Sequence, residues 1–222
     1  MLTPSTLICA CYASFPARFG DISSFFARNP LRTPLSGTGC APRVTRVRVE
    51  AVTETRPGLA STARVVVTRP DDPLAAPLVE ELSREYDERY GLNDGIPSSA
   101  ELSRYPAEVF TAERGGTFLL LVDESGAPVA GGAFMREDDE TVEVKRVWTH
   151  SSYRRLGLAR RVMSELEAEA ARRGIRTVVL TTGARQPEAV ALYLSLGYVP
   201  QFDLDGDWEA VSYLGFRKQL AA

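Results

Sequence analysis

Three β-rich runs lie between residues 117 and 149 with nothing longer than a turn between them, and this crowding limits the fold more than any other feature. Thr117-Phe118-Leu119-Leu120-Leu121-Val122 reads as a buried strand, Asp123-Glu124-Ser125-Gly126 as a turn, and Val129 to Arg136 as a second strand. Asp138-Asp139 turns the chain again, into Thr141 to Thr149. A parallel pair needs a crossover of a dozen or more residues, so these runs must pair antiparallel. Gly131-Gly132 inside the second run predicts a bulge or a close backbone approach.

The flanks alternate in type. Arg64 to Thr68 is short and β-branched. Asp71-Asp72-Pro73 then supplies an N-cap acid followed by proline at a first helical position. The helix it opens carries Leu78, Leu82 and Tyr86 at i, i+4 and i+8 and stops at Gly91. A polar link, Asn93 to Ser99, leads to a predicted short helix around Glu101 to Phe110. Beyond the meander, a helix from about Gly157 to Arg173 presents Leu158, Val162, Met163, Leu166 and Ala170 on one face and ends at Gly174. Thr177 to Thr182 is a strand, Pro187 to Ser195 a helix, and Tyr198-Val199 and Tyr213 to Arg217 are later strands. The order fits one mixed α/β sheet domain over residues 64–219, and residues 1–63 read as a disordered or non-domain N-terminal extension.

That extension lacks lasting periodicity, is interrupted by six prolines, and carries a net charge of +4 against −7 for the remainder. An acidic body argues against a nucleic-acid ligand. No apolar run approaches the roughly 20 residues of a membrane span, and a cytoplasmic location is expected. Cys9, Cys11 and Cys40 all precede the body, which therefore has no cysteine nucleophile, and His150 is the sole histidine. One histidine and no cysteine in the body argue against a structural zinc site, and no metal is expected. His150 reads as a surface or link residue, and the acidic cluster Asp203, Asp205, Asp207 and Glu209 as a solvated loop or substrate rim.

The chemistry concentrates after the third run. Glu143-Val144-Lys145-Arg146-Val147-Trp148-Thr149 enters a link and then Arg154-Arg155-Leu156-Gly157-Leu158-Ala159 opens the amphipathic helix. The free N–H groups and positive dipole end of a helix's first turn attract anions. Gly157 and Ala159 keep side chains out of the way, while Arg154 and Arg155 add charge-assisted donors suited to phosphate. The glycine spacing matches neither a Walker loop nor a dinucleotide fingerprint. Strict alternation puts Glu143, Lys145 and Val147 on one face of the strand and Val144, Arg146 and Trp148 on the other.

Strand, R-x-x-G-x-A turn, helix and strand, followed by Gln186-Pro187-Glu188-Ala189-Val190-Ala191-Leu192-Tyr193-Leu194-Ser195-Leu196-Gly197-Tyr198, together resemble the GNAT superfamily of acyl-CoA-dependent N-acetyltransferases. The resemblance covers about residues 64–219 and is densest from Glu143 to Pro200. It implies an α/β (α+β mixed) GNAT-like fold, a central, mostly antiparallel twisted sheet of about six to seven strands flanked by about four helices. It implies acetyl-CoA as co-substrate. The diphosphate would be held by Arg154, Arg155, Leu156, Gly157, Leu158 and Ala159 with Arg160 adjacent, and the pantetheine arm by Val147, Trp148 and Thr149. Gln186 matches the coenzyme-contacting position by place in the motif, a departure from the asparagine that the family often has there. Tyr193 matches the tyrosine that protonates the departing thiolate, and Glu143 is the candidate base for the acceptor amine.

The expected activity is acetyl transfer to an amine of a small molecule or protein by direct attack in a ternary complex. Tyr86, Tyr90, Phe110, Phe134 and Arg136 are candidate acceptor linings. Homodimers are common among such proteins, and the oligomeric state stays open. Two alternatives stand beside this reading: a non-catalytic acyl-CoA-binding sensor or regulatory module, and a nucleotide-phosphate enzyme built on the same helix terminus.

Overall fold

The computed structural model describes residues 58–211 and 213–221, so Cys9, Cys11, Cys40 and nearly all of the leading segment lie outside the described residues. On the near side of Arg64 a one-turn helix α1 (Leu59–Thr62) leads to a buried Ala63. Next come β1 (Arg64–Val67) and, after a 3-10 turn over Pro73–Ala75, helix α2 (Ala76–Tyr90). The predicted cap is formed: Asp72 Oδ1 accepts from the Leu74 N–H at 2.7 Å, and Thr68 Oγ1 donates to Asp72 Oδ2 at 2.7 Å.

Two local expectations are corrected after α2. The link contains a small hairpin, β2 (Leu92–Asn93) with β3 (Ile96–Pro97), turned by Asp94 and Gly95 at φ 50° and 80°. Positive φ at both central residues is the type I′ arrangement that an Asp-Gly pair favours. The short helix expected around Glu101–Phe110 is a series of 3-10 turns, Ser98–Ser103, Ala107–Phe110 and Ala112–Arg114. Pro106 interrupts any longer helix there, since it has no N–H to donate and its ring disfavours a helical residue before it.

The meander follows as β4 (Thr117–Val122), β5 (Pro128–Arg136) and β6 (Thr141–Thr149), then α3 (Leu158–Arg172), β7 (Thr177–Gly183), α4 (Pro187–Ser195), β8 (Val199–Pro200), α5 (Trp208–Val211) and β9 (Tyr213–Gln219). These strands form a seven-stranded sheet of order β1-β4-β5-β6-β7-β9-β8. Every adjacent pair is antiparallel except β6 with β7, which α3 connects as a crossover. The sheet is buried on both faces. Leu119 and Leu121 of β4 join Val162, Met163 and Leu166 of α3 on one side, while Phe118, Leu120 and Val122 join Leu78 and Leu82 of α2 on the other. The two middle glycines of β5 are the places where those layers press closest. A Cβ on Gly131 would stand 2.6 Å from Leu120 Cδ2 and 2.9 Å from Leu78 Cδ1, and one on Gly132 would stand 2.8 Å from Val162 Cγ1.

Candidate active site

The site begins where the ladder fails. Gly131 of β5 faces Trp148 of β6, yet Ala133 faces Lys145, so two steps along β5 span three along β6. The extra residue is a β-bulge, and Arg146 within it has φ 57°. This corrects the strict alternation expected for the strand. Val147 packs with Val142 and Val144 toward α3, whereas Trp148 lies in the core cluster toward α2, and the Arg146 guanidinium stacks on Phe110 of that same cluster. Two adjacent charges, Lys145 and Arg146, inside an otherwise buried strand were the signal of that break.

Past the bulge β6 also parts from β7. Their register runs only from Thr141↔Thr177 to Val144↔Leu180. Lys145 to Thr149 and Thr181 to Gly183 therefore border a gap between two strands that each keep a partner on the other side. Backbone groups that face such a gap are free to bond a ligand.

The gap leads toward the start of α3. Gly157 is its N-cap, at φ 80°, and no side chain caps the helix. Leu158 is buried and anchors the turn, while Arg154, Arg155, Leu156, Gly157 and Arg160 are exposed and Ala159 is half-buried. Arg155 also has positive φ, 65°. Arg154 Nη2 donates to Glu85 Oε2 at 2.8 Å and Arg160 Nη2 to Ser195 Oγ at 2.8 Å, whereas Arg155 makes no side-chain ion pair among the described residues. An uncapped helix start with exposed guanidinium groups fits a diphosphate.

Glu143 sits on the last stretch of β6 that still pairs with β7 and is 2% exposed. Its Oε1 faces Lys145 Nζ at 2.9 Å without accepting a well-aligned hydrogen bond. Burial outweighs the pull of Lys145 and pushes its pKa up to about 7. Tyr193 of α4 is 6% exposed, with its ring 5.4 Å from that of Phe216 and 5.9 Å from that of Tyr198. Burial raises its pKa, and Tyr86 of α2, packed on the opposite face, lies within its electrostatic reach. The phenol keeps its proton at neutral pH.

The remaining expected residues are spread more widely. Trp148 Nε1 donates to Glu81 Oε2 at 2.9 Å, and Ser151 N–H and Oγ donate to the same carboxylate, so Glu81 ties α2 to the end of β6. Nothing in the sequence singled out Glu81. Gln186 is the N-cap residue of α4, and its Oε1 accepts from Thr182 Oγ1 at 2.7 Å and from the Gly183 N–H at 3.2 Å. His150 Nδ1 accepts from the Ser152 N–H at 3.2 Å. Tyr86 and Tyr90 face the gap side of α2, with the Tyr90 hydroxyl against Gly183. Phe134 lies in the α3-side core, and Arg136 pairs with Asp139 at 2.8 Å in the turn before β6. Among the described residues no group of three or more His, Cys, Asp or Glu side chains could hold a metal ion. No described helix is long and apolar enough to cross a membrane.

A family model for the acetyltransferase (GNAT) family matches residues 78–198, more than half of the chain. The chain belongs to the GNAT family. This GNAT chain is 31% identical over 87 residues to the Xenopus tropicalis protein named Probable N-acetyltransferase 14, a match covering 38% of this chain and 40% of that protein's length. Its fold is shared with an acetyltransferase from Streptococcus agalactiae, at 20% identity, TM-score 0.57 and coverage of 72% of this chain and 99% of that one. It is shared too with yncA from Salmonella typhimurium, a structure that contains its cofactor acetyl-CoA, at 23% identity, TM-score 0.52 and coverage of 72% and 95%. The mixed sheet, its single parallel pair and the flanking helices agree with the fold that the motif resemblance implied.

Proposed function

We propose that this GNAT chain transfers an acetyl group from acetyl-CoA directly to an amine of a small molecule or protein. The observation that carries the reading is the gap between β6 and β7, bordered by β6 residues that continue from Glu143 toward an uncapped, arginine-flanked helix start. The residues that would hold the co-substrate are the backbone of Val147, Trp148 and Thr149 along the gap and the turn Arg154 to Arg160 at its end. Arg155 is ready for phosphate, while Arg154 and Arg160 would exchange Glu85 and Ser195 for it. When bound, acetyl-CoA supplies an acetyl thioester, activated toward amines.

The chain's own residues then manage protons. An aliphatic amine with a pKa near about 10 is a cation at neutral pH and must lose a proton before it can attack. Glu143, held near neutrality by burial, suits that task directly or through a water. As the new C–N bond forms and the C–S bond breaks, the Tyr193 hydroxyl donates its proton to the leaving sulfur. No cysteine lies in the body to carry the acetyl group, which favours direct transfer over a covalent intermediate.

The test is calorimetry with acetyl-CoA alongside a thiol-release assay across amines, on the unaltered chain and on Tyr193→Phe. We expect acetyl-CoA heat to persist in the variant while thiol release slows by about tenfold or more, as for loss of a general acid. Binding without turnover by the unaltered chain on any amine would support the sensor reading instead. An unslowed variant would remove Tyr193 from the mechanism.

A further inference from the structure

Arg146 is the charge in this site that the transfer chemistry leaves unused. It occupies the β6 bulge on the α2 face, with its guanidinium 4.4 Å from the centre of the Phe110 ring. Its Nη2 donates to the Leu102 carbonyl at 2.6 Å. A guanidinium has five N–H donors in a fixed fork, so most of this one's capacity is unspent among the described residues. It also forms no ion pair with a carboxylate there. Glu143 is committed to Lys145 at 2.9 Å, and Glu101, which lies within its electrostatic reach, to Arg104 at 3.6 Å.

That is an unfavourable place for a lone cation. Burial lowers the Arg146 pKa, and a half-buried charge without a counter-ion is costly. The left-handed backbone of a non-glycine residue adds strain. Strain and an uncompensated charge on one residue are features that functional sites retain. Arg146 stands two positions past the last β6 residue paired to β7, on the same face as Glu143. Three residue steps separate their Cα atoms, about 10 Å along the strand, a span that one small acceptor can bridge between two long side chains. Tyr86 and, through it, Tyr90 and Tyr213 share this side of the gap.

We infer that Arg146 is the counter-ion for a carboxylate on the acceptor, which makes the acceptor class a primary amine with a neighbouring carboxylate, an α-amino acid or a close derivative. The amine meets Glu143 and the carboxylate receives the open edge of the guanidinium fork. This rests on the acetyltransferase reading above and narrows its acceptor.

The experiment uses the full chain with saturating acetyl-CoA and follows thiol release with the common α-amino acids, each set against its own carboxamide and its decarboxylated amine. For at least one amino acid we expect kcat/KM to exceed that of the matching amide by about tenfold or more, as a charge-assisted fork supplies. Arg146→Gln should bring that ratio to about one, chiefly through KM for the acid, and Arg146→Lys, which keeps the charge and loses the fork, should fall between. Amides or simple amines used as well as the acids, no turnover of any acid, or a ratio that survives Arg146→Gln would each overturn the inference. The ratio measured on the unaltered chain remains decisive if the variants fail to fold. Failure of the acetyltransferase reading looks different, because then no amine of any kind, acid, amide or decarboxylated, releases thiol.

Discussion

Glu143 shows how one buried carboxyl would join stability to the proposed catalysis. Its folded pKa, about 7, lies above the ordinary 4.5, so between those values the folded chain holds a proton that the unfolded chain has released. Stability therefore falls as pH rises through that window and stays lower above it. Glu143→Gln cannot ionise, so its melting temperature relative to the unaltered chain should climb from pH 4.5 to 7 and then level off. In the same range the unaltered chain should gain activity as Glu143, the proposed base, deprotonates. The glutamine variant should lose that limb of the pH profile along with about a hundredfold or more of kcat. A pH series of melts and rates on both proteins checks both statements. Tyr193 and Glu143 were legible as positions because they belong to a spaced motif and to a strand next to the basic turn. Their burial was not legible, since for Tyr193 it depends on Phe216 and Tyr198 reaching it from outside α4.

At the scale of elements, β5 is the most sensitive. Gly131→Ala would force a methyl to within 2.6 Å of Leu120 and 2.9 Å of the Leu119 carbonyl, so we expect a loss of about 1–3 kcal/mol, read as a lower denaturation midpoint at unchanged m-value. The three-strand meander, its glycine pair, the capped α2 and the amphipathic α3 could all be read from periodicity and turn chemistry. Each is a local pattern, decided by neighbours in sequence. The segment between Gly91 and Gly116 resisted that reading. Its Asp94-Gly95 hairpin has only two residues per strand, and its 3-10 turns lack the length over which a period can be counted. The glycine pair pointed to a bulge here, but which β6 residue is extra was not legible, because a period-two pattern cannot anticipate where an extra residue resets it. That single shift exchanged the faces assigned to Val147, Arg146 and Trp148.

For the whole molecule, the strand order could not be derived from pattern. β7 enters between β6 and β9, a placement that no local signal specifies. The anchoring polar links were equally hidden: Glu81 to Trp148 and Ser151, and Arg185 to Glu209, join residues far apart in sequence. Ligand linkage gives a global test. Acetyl-CoA at about one hundred times its Kd should stabilise the fold by about 2.7 kcal/mol, and a domain of this size should then melt about 5–10 °C higher. A desulfo analogue should produce a similar shift, because the proposed grip is on the phosphates and the arm. Gly157→Ala should reduce the shift, since a Cβ is strained at φ 80° in the cradle.

The parting of β6 from β7 has a consequence for how the empty protein breathes. The four register pairs from Thr141 to Val144 are the entire seam between the β1-β4-β5-β6 half and the β7-β9-β8 half of the sheet. Amide protons beyond that seam, those of Lys145 to Thr149 and Thr181 to Gly183 that point into the opening, should swap with deuterium far sooner than their neighbours. Filling the opening would slow them selectively, giving a footprint of occupancy that needs no turnover.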